Sequence, residues 1–477
     1  MVWLALLFVL FVLQIITVLV VEFRHPGKTV AWLIIMIVFP LVGFVLYYFL
    51  AREYNQRRKM RRRSAKMPPE TRVFIASLAE PIHDRSELPG GIAEGHPRLF
   101  DYLSRLPDAP ITRENTASVY TDGEQTYTAM LEAMEQATDH IHVQFYTIRS
   151  DKIGQRFQQL WIRKANAGVK VRVIYDGVGS YQMASSFIKE LTTAGVEMCS
   201  FFPPLIAFFD KRINFRNHRK IIVVDGMTAF IGGINIGEEY VGGNARLGFW
   251  RDTHIQLRGD SVYYIQHLFM SDWALASGKP LIELPKYYPR MDRRGSEATQ
   301  IIASGPDKQW DAILEMFFVV INSAKQSVYI TTPYFIPDNS IAMALKTAAA
   351  SGLDVRIIFP HTPDSRIVHW ASLSYIEEMM QAGVKCYMYT KGFIHAKVII
   401  IDQVIATVGT TNMDMRSFFS NFELNAILFD GKTVQKLEQD FLEDLKHSIQ
   451  LDLETVDARS ALYKIREIGA RLLSPLL

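Results

Sequence analysis

One pattern of five residues occurs twice along the chain with every offset the same. The segment HRKIIVVDGMTAFIGGIN holds His218, Lys220, Asp225, Gly232 and Asn235, and HAKVIIIDQVIATVGTTN holds His395, Lys397, Asp402, Gly409 and Asn412. With 12 histidines in 477 residues, one His-x-Lys-x4-Asp match arises by chance in roughly a few of a hundred such chains. Two matches, each trailed by Gly and Asn at equal distance, require a duplication. The copies close a longer repeat, in which residues 140–176, with HIHVQFYTI and AGVKVRVIYD, parallel residues 327–360, with SVYITTPYFI and SGLDVRIIFP. Each reads as strand, helix, turn at Gly168 or Gly352, and strand, followed by a further helix and strand ending in TTAGVEMCSF or MQAGVKCYMY. This pattern predicts an α/β chain whose duplicated units form one pseudo-twofold body. Residues 67–285 are the expected first half and 286–477 the second, joined through a stretch bearing Pro280, Pro285 and Pro289.

The spacing also says which side chains face one another. In a strand, residues i and i+2 share a face, so His218 with Lys220, and His395 with Lys397, project side by side ahead of the β-branched runs IIVV and VIII. Asp225 and Asp402 stand seven positions from their histidines, an odd offset that turns them away from that face and makes them strand-end acids bracing turns. Gly232 and Gly409 permit close backbone approach, and Asn235 and Asn412 offer amide donors. Brought together by the pseudo-twofold, the two strands would present two imidazoles, two ammonium groups and two amides, with no carboxylate cluster for a metal and no cofactor. Such a set suits a phosphodiester: cations and amides meet the non-bridging oxygens, one neutral histidine attacks phosphorus, and the other delivers a proton to the leaving alkoxide. Histidines in different protonation states need orienting partners. Glu423, 28 residues beyond His395, and Asp252, 34 beyond His218, are the expected acids.

Net charge is +3, yet Arg52, Arg57, Arg58, Lys59, Arg61, Arg62, Arg63 and Lys66 oppose Glu53 alone within residues 51–66, so the rest of the chain is net acidic. That distribution argues against a nucleic-acid-binding surface. The basic run follows two uncharged apolar stretches, Val2–Val21 and Val30–Leu50, each of about 20 residues and so long enough to cross a bilayer as helix. The Pro40/Gly43 pair predicts a kink in the second. By the positive-inside rule the body is cytoplasmic and the link Glu22–Thr29 lies outside. The run FFPPLIAFF, Phe201–Phe209, reads either as a core loop or as a lip dipping into lipid, which Phe393, Phe418 and Phe419 would extend. The amphipathic stretch Ala461–Leu473, basic at Lys464, Arg466 and Arg471, is expected to pack on the body. Two cysteines, Cys199 and Cys386, exclude a disulfide framework and suit a reducing compartment. No oligomeric state follows from the sequence.

The paired His-x-Lys-x4-Asp motifs with trailing Gly-x-x-Asn resemble the phospholipase D superfamily over nearly everything after residue 110. More narrowly, HPGKTVAWLIIMIVFPLVGFVLYYFL, NHRKIIVVDG, WRDTHIQLRG, IASGP, TTPYFIPD, GTTNMDMRSFFSNFELN and the terminal SPLL resemble the bacterial cardiolipin synthases. The resemblance implies a two-pass enzyme of the bacterial cytoplasmic membrane that converts two phosphatidylglycerols into cardiolipin and glycerol, without metal, through a phosphatidyl-histidine. It implies a catalytic set of His218, Lys220, Asp225, His395, Lys397 and Asp402, with His218 as nucleophile and His395 as acid and base. Gly233 and Thr410 stand where many superfamily members carry a serine, and with Asn235 and Asn412 they are the implied phosphate-binding positions. A phospholipase D-type hydrolase, or a different phosphatidyltransferase, is the alternative on the same scaffold.

Overall fold

The structure, a computed structural model, describes residues 2–22, 26–50, 60, 68–79, 81–88, 92–203, 214–281, 284–290, 295–308, 311–429 and 431–477. The basic run, Met60 apart, and residues 204–209 of the aromatic and proline run lie outside these.

At the N-terminus stand α1 (Val2–Glu22), α2 (Pro26–Val38) and α3 (Pro40–Leu50). Proline lacks the N–H that would continue α2, so the second apolar stretch is divided at Pro40, as its composition predicts. Val18, Trp32, Met36 and Tyr47 form a small shared core, with the Trp32 and Tyr47 rings edge to face at 5.5 Å. Among the described side chains here, most of the other apolar ones are exposed, Phe8, Ile37 and Val42 among them. Among the described residues, no helix is long and apolar enough to cross a membrane. The turn end of the pair, expected on the far side of a bilayer, instead has Gly27 against the Pro475 ring.

The duplicated sequence folds into duplicated strands. The first half holds β1 (Ile111–Asp122), β2 (His140–Phe145), β3 (Lys170–Asp176), β4 (Glu197–Phe201), β5 (Arg216–Asn217), β6 (Ile221–Val224), β7 (Thr228–Gly232) and β8 (Phe249–Gly259). The second repeats the series as β9 (Glu297–Ser304), β10 (Ser327–Thr331), β11 (Asp354–Pro360), β12 (Lys385–Tyr389), β13 (Gly392–Ile394), β14 (Val398–Ile401), β15 (Ile405–Gly409) and β16 (Asn421–Phe429), then adds β17 (Ser448–Gln450). Pairing runs β4-β3-β2-β6-β7-β8-β1 outward from one side of the centre and β9-β16-β15-β14-β10-β11-β12-β17 on the other, with β1 and β9 antiparallel at the join. The β2-β3-β4 and β10-β11-β12 sets are parallel because helices connect them. In the first half α4 (Gly123–Glu135) joins β1 to β2, and the crossovers are α5 (Lys152–Asn166) and α6 (Ser185–Thr193). After β8 comes α7 (Ser261–Ser277); the second half repeats these four as α8 (Ala312–Ser323), α9 (Asn339–Ala350), α10 (Arg366–Gln381) and α12 (Lys432–Lys446), with the short α11 (Met415–Phe419) between β15 and β16. The chain ends in α13 (Ala461–Leu473).

Alternation along the strands divides the core. Ile222 and Val224 of β6 pack with the helices of the first half, and Ile399 and Ile401 of β14 with those of the second. Their neighbours Ile221, Val223, Val398 and Ile400 point the other way into one cluster common to both halves. Burying each such side chain contributes on the order of 1.5–3 kcal/mol, and here the gain requires the halves to stay together.

The motif aspartates do what their parity predicts. Asp225 accepts the backbone N–H groups of Thr138, Asp139 and His140 at 2.8, 2.9 and 2.8 Å. Asp402 accepts those of Lys325, Gln326 and Ser327 at 2.8, 2.7 and 2.9 Å. Each ties a hairpin turn to the start of β2 or β10, at the far end of β6 or β14 from the histidine of the motif that the resemblance counts as catalytic. The described part of the aromatic run is core: Phe201 and Phe202 are buried with Met60, Phe215, Phe269, Trp273 and Phe422. Phe393 and Phe418 are buried too and cannot extend a lip, while Phe419 is half-buried.

Replacing Asp402 by Ala strands three backbone donors and is expected to lower stability by about 2–4 kcal/mol in denaturant unfolding. Asp402→Asn, which keeps an acceptor oxygen, should cost less.

Candidate active site

Each motif enters through the opposite half. β5 runs parallel to the start of β16, pairing Arg216 with Asn421 and Asn217 with Phe422, and the His218 N–H donates to the Phe422 carbonyl at 3.0 Å. β13 likewise pairs with the start of β8, and the His395 N–H donates to the Arg251 carbonyl at 2.7 Å. The His-x-Lys segments therefore lie outside β6 and β14, as extended links leading from the other half's strand into their own half. The residue following each contact is the acid. His218 Nδ1 lies 3.0 and 3.1 Å from the two carboxylate oxygens of Glu423, and His395 Nδ1 lies 2.8 Å from Asp252 Oδ2. Both expected acids are thus histidine partners, and each serves the histidine of the other copy. An ionised carboxylate can only accept, so Nδ1 carries the proton and Nε2 keeps its lone pair.

The acids are themselves held. Glu423 accepts the Thr410 hydroxyl at 2.5 Å and the Asn421 amide at 3.2 Å. Asp252 accepts the Thr253 N–H at 2.8 Å and the Trp250 indole N–H at 3.3 Å. Both are fully buried. Burial alone would raise these carboxyls, but the paired histidines and nearby lysines outweigh it and hold both below their usual range.

Lys220 Nζ donates to the His218 carbonyl at 2.6 Å, and Lys397 Nζ to the His395 carbonyl at 2.5 Å, so each ammonium is fixed by its own histidine's backbone. Burial lowers both ammonium groups, that of Lys397 to about 8. It also lowers both imidazoles, with His395 reaching about 3 as Lys397 adds to the effect and Asp252 opposes it. Lys397 acts on His218 and Lys220 acts on His395, so the charges of the two halves share one field. Near pH 7, at or above the ordinary histidine range of about 6.5, both rings are neutral.

The remaining implied positions divide. Asn235 is committed to the scaffold, its oxygen accepting the Thr147 N–H at 3.1 Å and its amide donating to the Tyr240 hydroxyl at 2.9 Å. Asn412 is buried with an amide oxygen that has no partner among the described residues, which makes it the freer amide. Gly233 offers no phosphate ligand, because its N–H is spent on the Thr253 carbonyl at 3.0 Å. A side chain there would place Cβ 2.0 Å from Asp252 Oδ1. The short acid therefore requires glycine, whereas the longer Glu423 leaves room for Thr410, whose hydroxyl grips the acid and not a phosphate. Sequence reasoning missed Trp250, whose ring lies 5.1 Å from that of His395, and Tyr146, 5.2 Å from that of His218. Only the position of Trp250 two residues before Asp252 hints at its role. Among the described residues, no group of three or more His, Cys, Asp and Glu is placed to hold a metal ion.

The family model described as cardiolipin synthase, phospholipase D-like domain, matches residues 130–273 and 318–445, one segment in each half. The chain belongs to the cardiolipin synthase family. A second model, phospholipase D-nuclease N-terminal, matches residues 3–52. The cardiolipin synthase of Halalkalibacterium halodurans is 43% identical over 96% of this chain and 91% of its own length. The major cardiolipin synthase of Bacillus subtilis is 39% identical over 99% and 98%. Among solved structures, the phosphatidylserine synthase of Haemophilus influenzae superposes with TM-score 0.63 over 80% of this chain and 100% of its own at 13% identity, a likeness of fold.

Gly233→Ser, which installs the residue common in the superfamily, is expected to push Asp252 off His395 and to lower activity by at least about tenfold without unfolding the chain, read by turnover beside a thermal melt.

Proposed function

We propose that the two halves, 67–285 and 286–477, together transfer a phosphatidyl group from one phosphatidylglycerol to the terminal glycerol hydroxyl of another, giving cardiolipin and free glycerol. The observation that carries this reading is the pair of crossed histidine–acid contacts, which hold both rings through Nδ1 and leave two Nε2 lone pairs free in the field of two ammonium groups. His218 Nε2 attacks phosphorus, the bond from phosphorus to the departing glycerol oxygen breaks, and His395 gives that oxygen a proton. His395 then takes a proton from the acceptor hydroxyl, whose oxygen attacks phosphorus as the bond to His218 breaks. The diester brings its own negative charge, which raises both rings and lets His395 carry the proton it must donate. Lys220, Lys397 and Asn412 meet the non-bridging oxygens. The acids and lysines are almost wholly buried, a surrounding that favours a lipid hydroxyl over water for the second attack.

The membrane side of the reading rests on α1–α3, whose exposed aliphatic surface belongs in bacterial membrane lipid, with the body held on the cytoplasmic side by the basic run. Charge asymmetry implies two passes. The packing of Gly27 on Pro475 favours a second layout, in which the helices dip into lipid from the side of the body. A cysteine in place of Lys28 should then be shielded from an impermeant maleimide applied to intact cells, whereas two passes would leave it labelled.

With phosphatidylglycerol as sole substrate and chelator present, the purified protein should release glycerol and cardiolipin in equal amounts; phosphatidic acid as the main product would make it a hydrolase. Lys397 loses its proton as pH rises through about 8, so kcat/KM should fall above that pH. Lys397→Arg, protonated throughout, should abolish this decline at a lower absolute rate.

A further inference from the structure

A helix lying on a water-bathed body buries its apolar stripe and turns its charges outward. The last helix, α13, leaves its row of large aliphatic side chains outward. Its inner side carries Tyr463, Glu467 and Ala470, with Glu467 buried and paired to Arg459, which also reaches Glu377 of α10 at 2.8 Å. Its outer side carries Leu462, Ile465, Ile468 and Leu472, exposed by 60, 63, 60 and 45%. Spacings of three, three and four place all four on one face. The expectation that this stretch packs on the body is met, but by the mixed side of Tyr463, Glu467 and Ala470 and not by its large aliphatic side chains.

Three observations say what covers the outer face. The stripe is continuous with the N-terminal helices: the turn Ser474–Leu476 follows α13, Leu476 packs into the core of Val18, Trp32, Met36 and Tyr47, and Pro475 lies against Gly27. Lys464 and Arg466 flank the stripe, and the Arg466 guanidinium sits 5.5 Å from the Trp370 ring, an arrangement suited to anionic headgroups. The end of the chain docks beside the site. The Arg416 N–H of α11 donates to the Leu477 carbonyl at 3.1 Å, and α11 is capped by Asp414, two residues past Asn412.

We propose that α13 lies in the interfacial plane of an anionic phospholipid bilayer, its stripe among the acyl chains, and that it thereby holds the active-site mouth at the lipid surface. This rests on the reading that α1–α3 sit in lipid.

The test uses the full chain with single cysteines replacing Ile465, Ile468, Ile37 or Lys152, each labelled with an environment-sensitive fluorophore and reconstituted into phosphatidylglycerol/phosphatidylethanolamine vesicles. The native thiols compete little, since Cys386 is buried and burial pushes the Cys199 thiol up to about 11. Labels at 465 and 468 should be quenched by brominated acyl chains and shielded from iodide, and the label at Lys152, on a side chain 89% exposed, should behave oppositely. Iodide quenching at 465 and 468 like that at 152 overturns the proposal. Shielding from both quenchers also overturns it, because protein then covers the stripe. The label at Ile37 separates the two readings: if it alone meets brominated lipid, α1–α3 sit in lipid and α13 does not, and if it fails as well, both readings fall. Ile465→Ser with Ile468→Ser should cut turnover on vesicles on the order of fivefold and leave turnover on detergent-dispersed substrate unchanged; equal rates on both substrates would contradict the positioning role.

Discussion

Everything in the site hangs on the exchange of partners between the halves. His218 binds Glu423 and His395 binds Asp252, so neither half contains a complete histidine–acid pair of its own. The exchange is made by backbone: short parallel pairings of β5 with β16 and of β13 with β8 carry each histidine to the strand that holds its acid. It is also an electrostatic necessity. Two buried ammonium groups and two buried carboxylates would each be costly alone, and gathered at one place each offsets the others. Separating the halves would take from each lysine the carboxylate that acts on it most strongly, Glu423 from Lys220 and Asp252 from Lys397, as well as opening the shared core beneath β6 and β14.

Much of this was legible in the sequence, for physical reasons. Equal offsets announced the duplication, strand parity turned Asp225 and Asp402 away from the chemistry, and the need of each histidine for an acceptor pointed to Asp252 and Glu423. The crossing was not legible, because spacing along one chain carries no information about which of two similar strands a short extended segment will join. Gly233 was misleading for a related reason. Its missing hydroxyl looks like a lost phosphate ligand until Asp252 is seen to occupy the space a side chain would need. Thr410 and Asn235 were likewise read as donors to substrate, whereas neighbouring groups take up their hydrogen bonds. The aromatic run was ambiguous since a phenylalanine does not say whether lipid or protein will cover it, and for Phe201 and Phe202 the answer is protein.

The distribution of apolar surface ties the site to its setting. Exposed aliphatic side chains concentrate on α1–α3 and on the outer face of α13, which meet through Pro475 and Leu476. The same terminal turn leads to α11 beside the second motif. The part of the chain most in need of lipid thus adjoins the site that consumes a lipid, and a burial-lowered lysine and two neutral imidazoles await a phosphate whose charge they are poised to meet.

The central claim is that a histidine from one half, oriented by an acid from the other, takes the phosphatidyl group. It is tested most directly by rapid-quench labelling with phosphatidylglycerol carrying radioactive phosphorus, followed by peptide mapping of wild type and of Glu423→Gln. The account predicts label on His218 in the wild type and at least about tenfold slower labelling once its partner in the opposite half is replaced. Label on His395, or labelling of His218 unaffected by the change at Glu423, would contradict it.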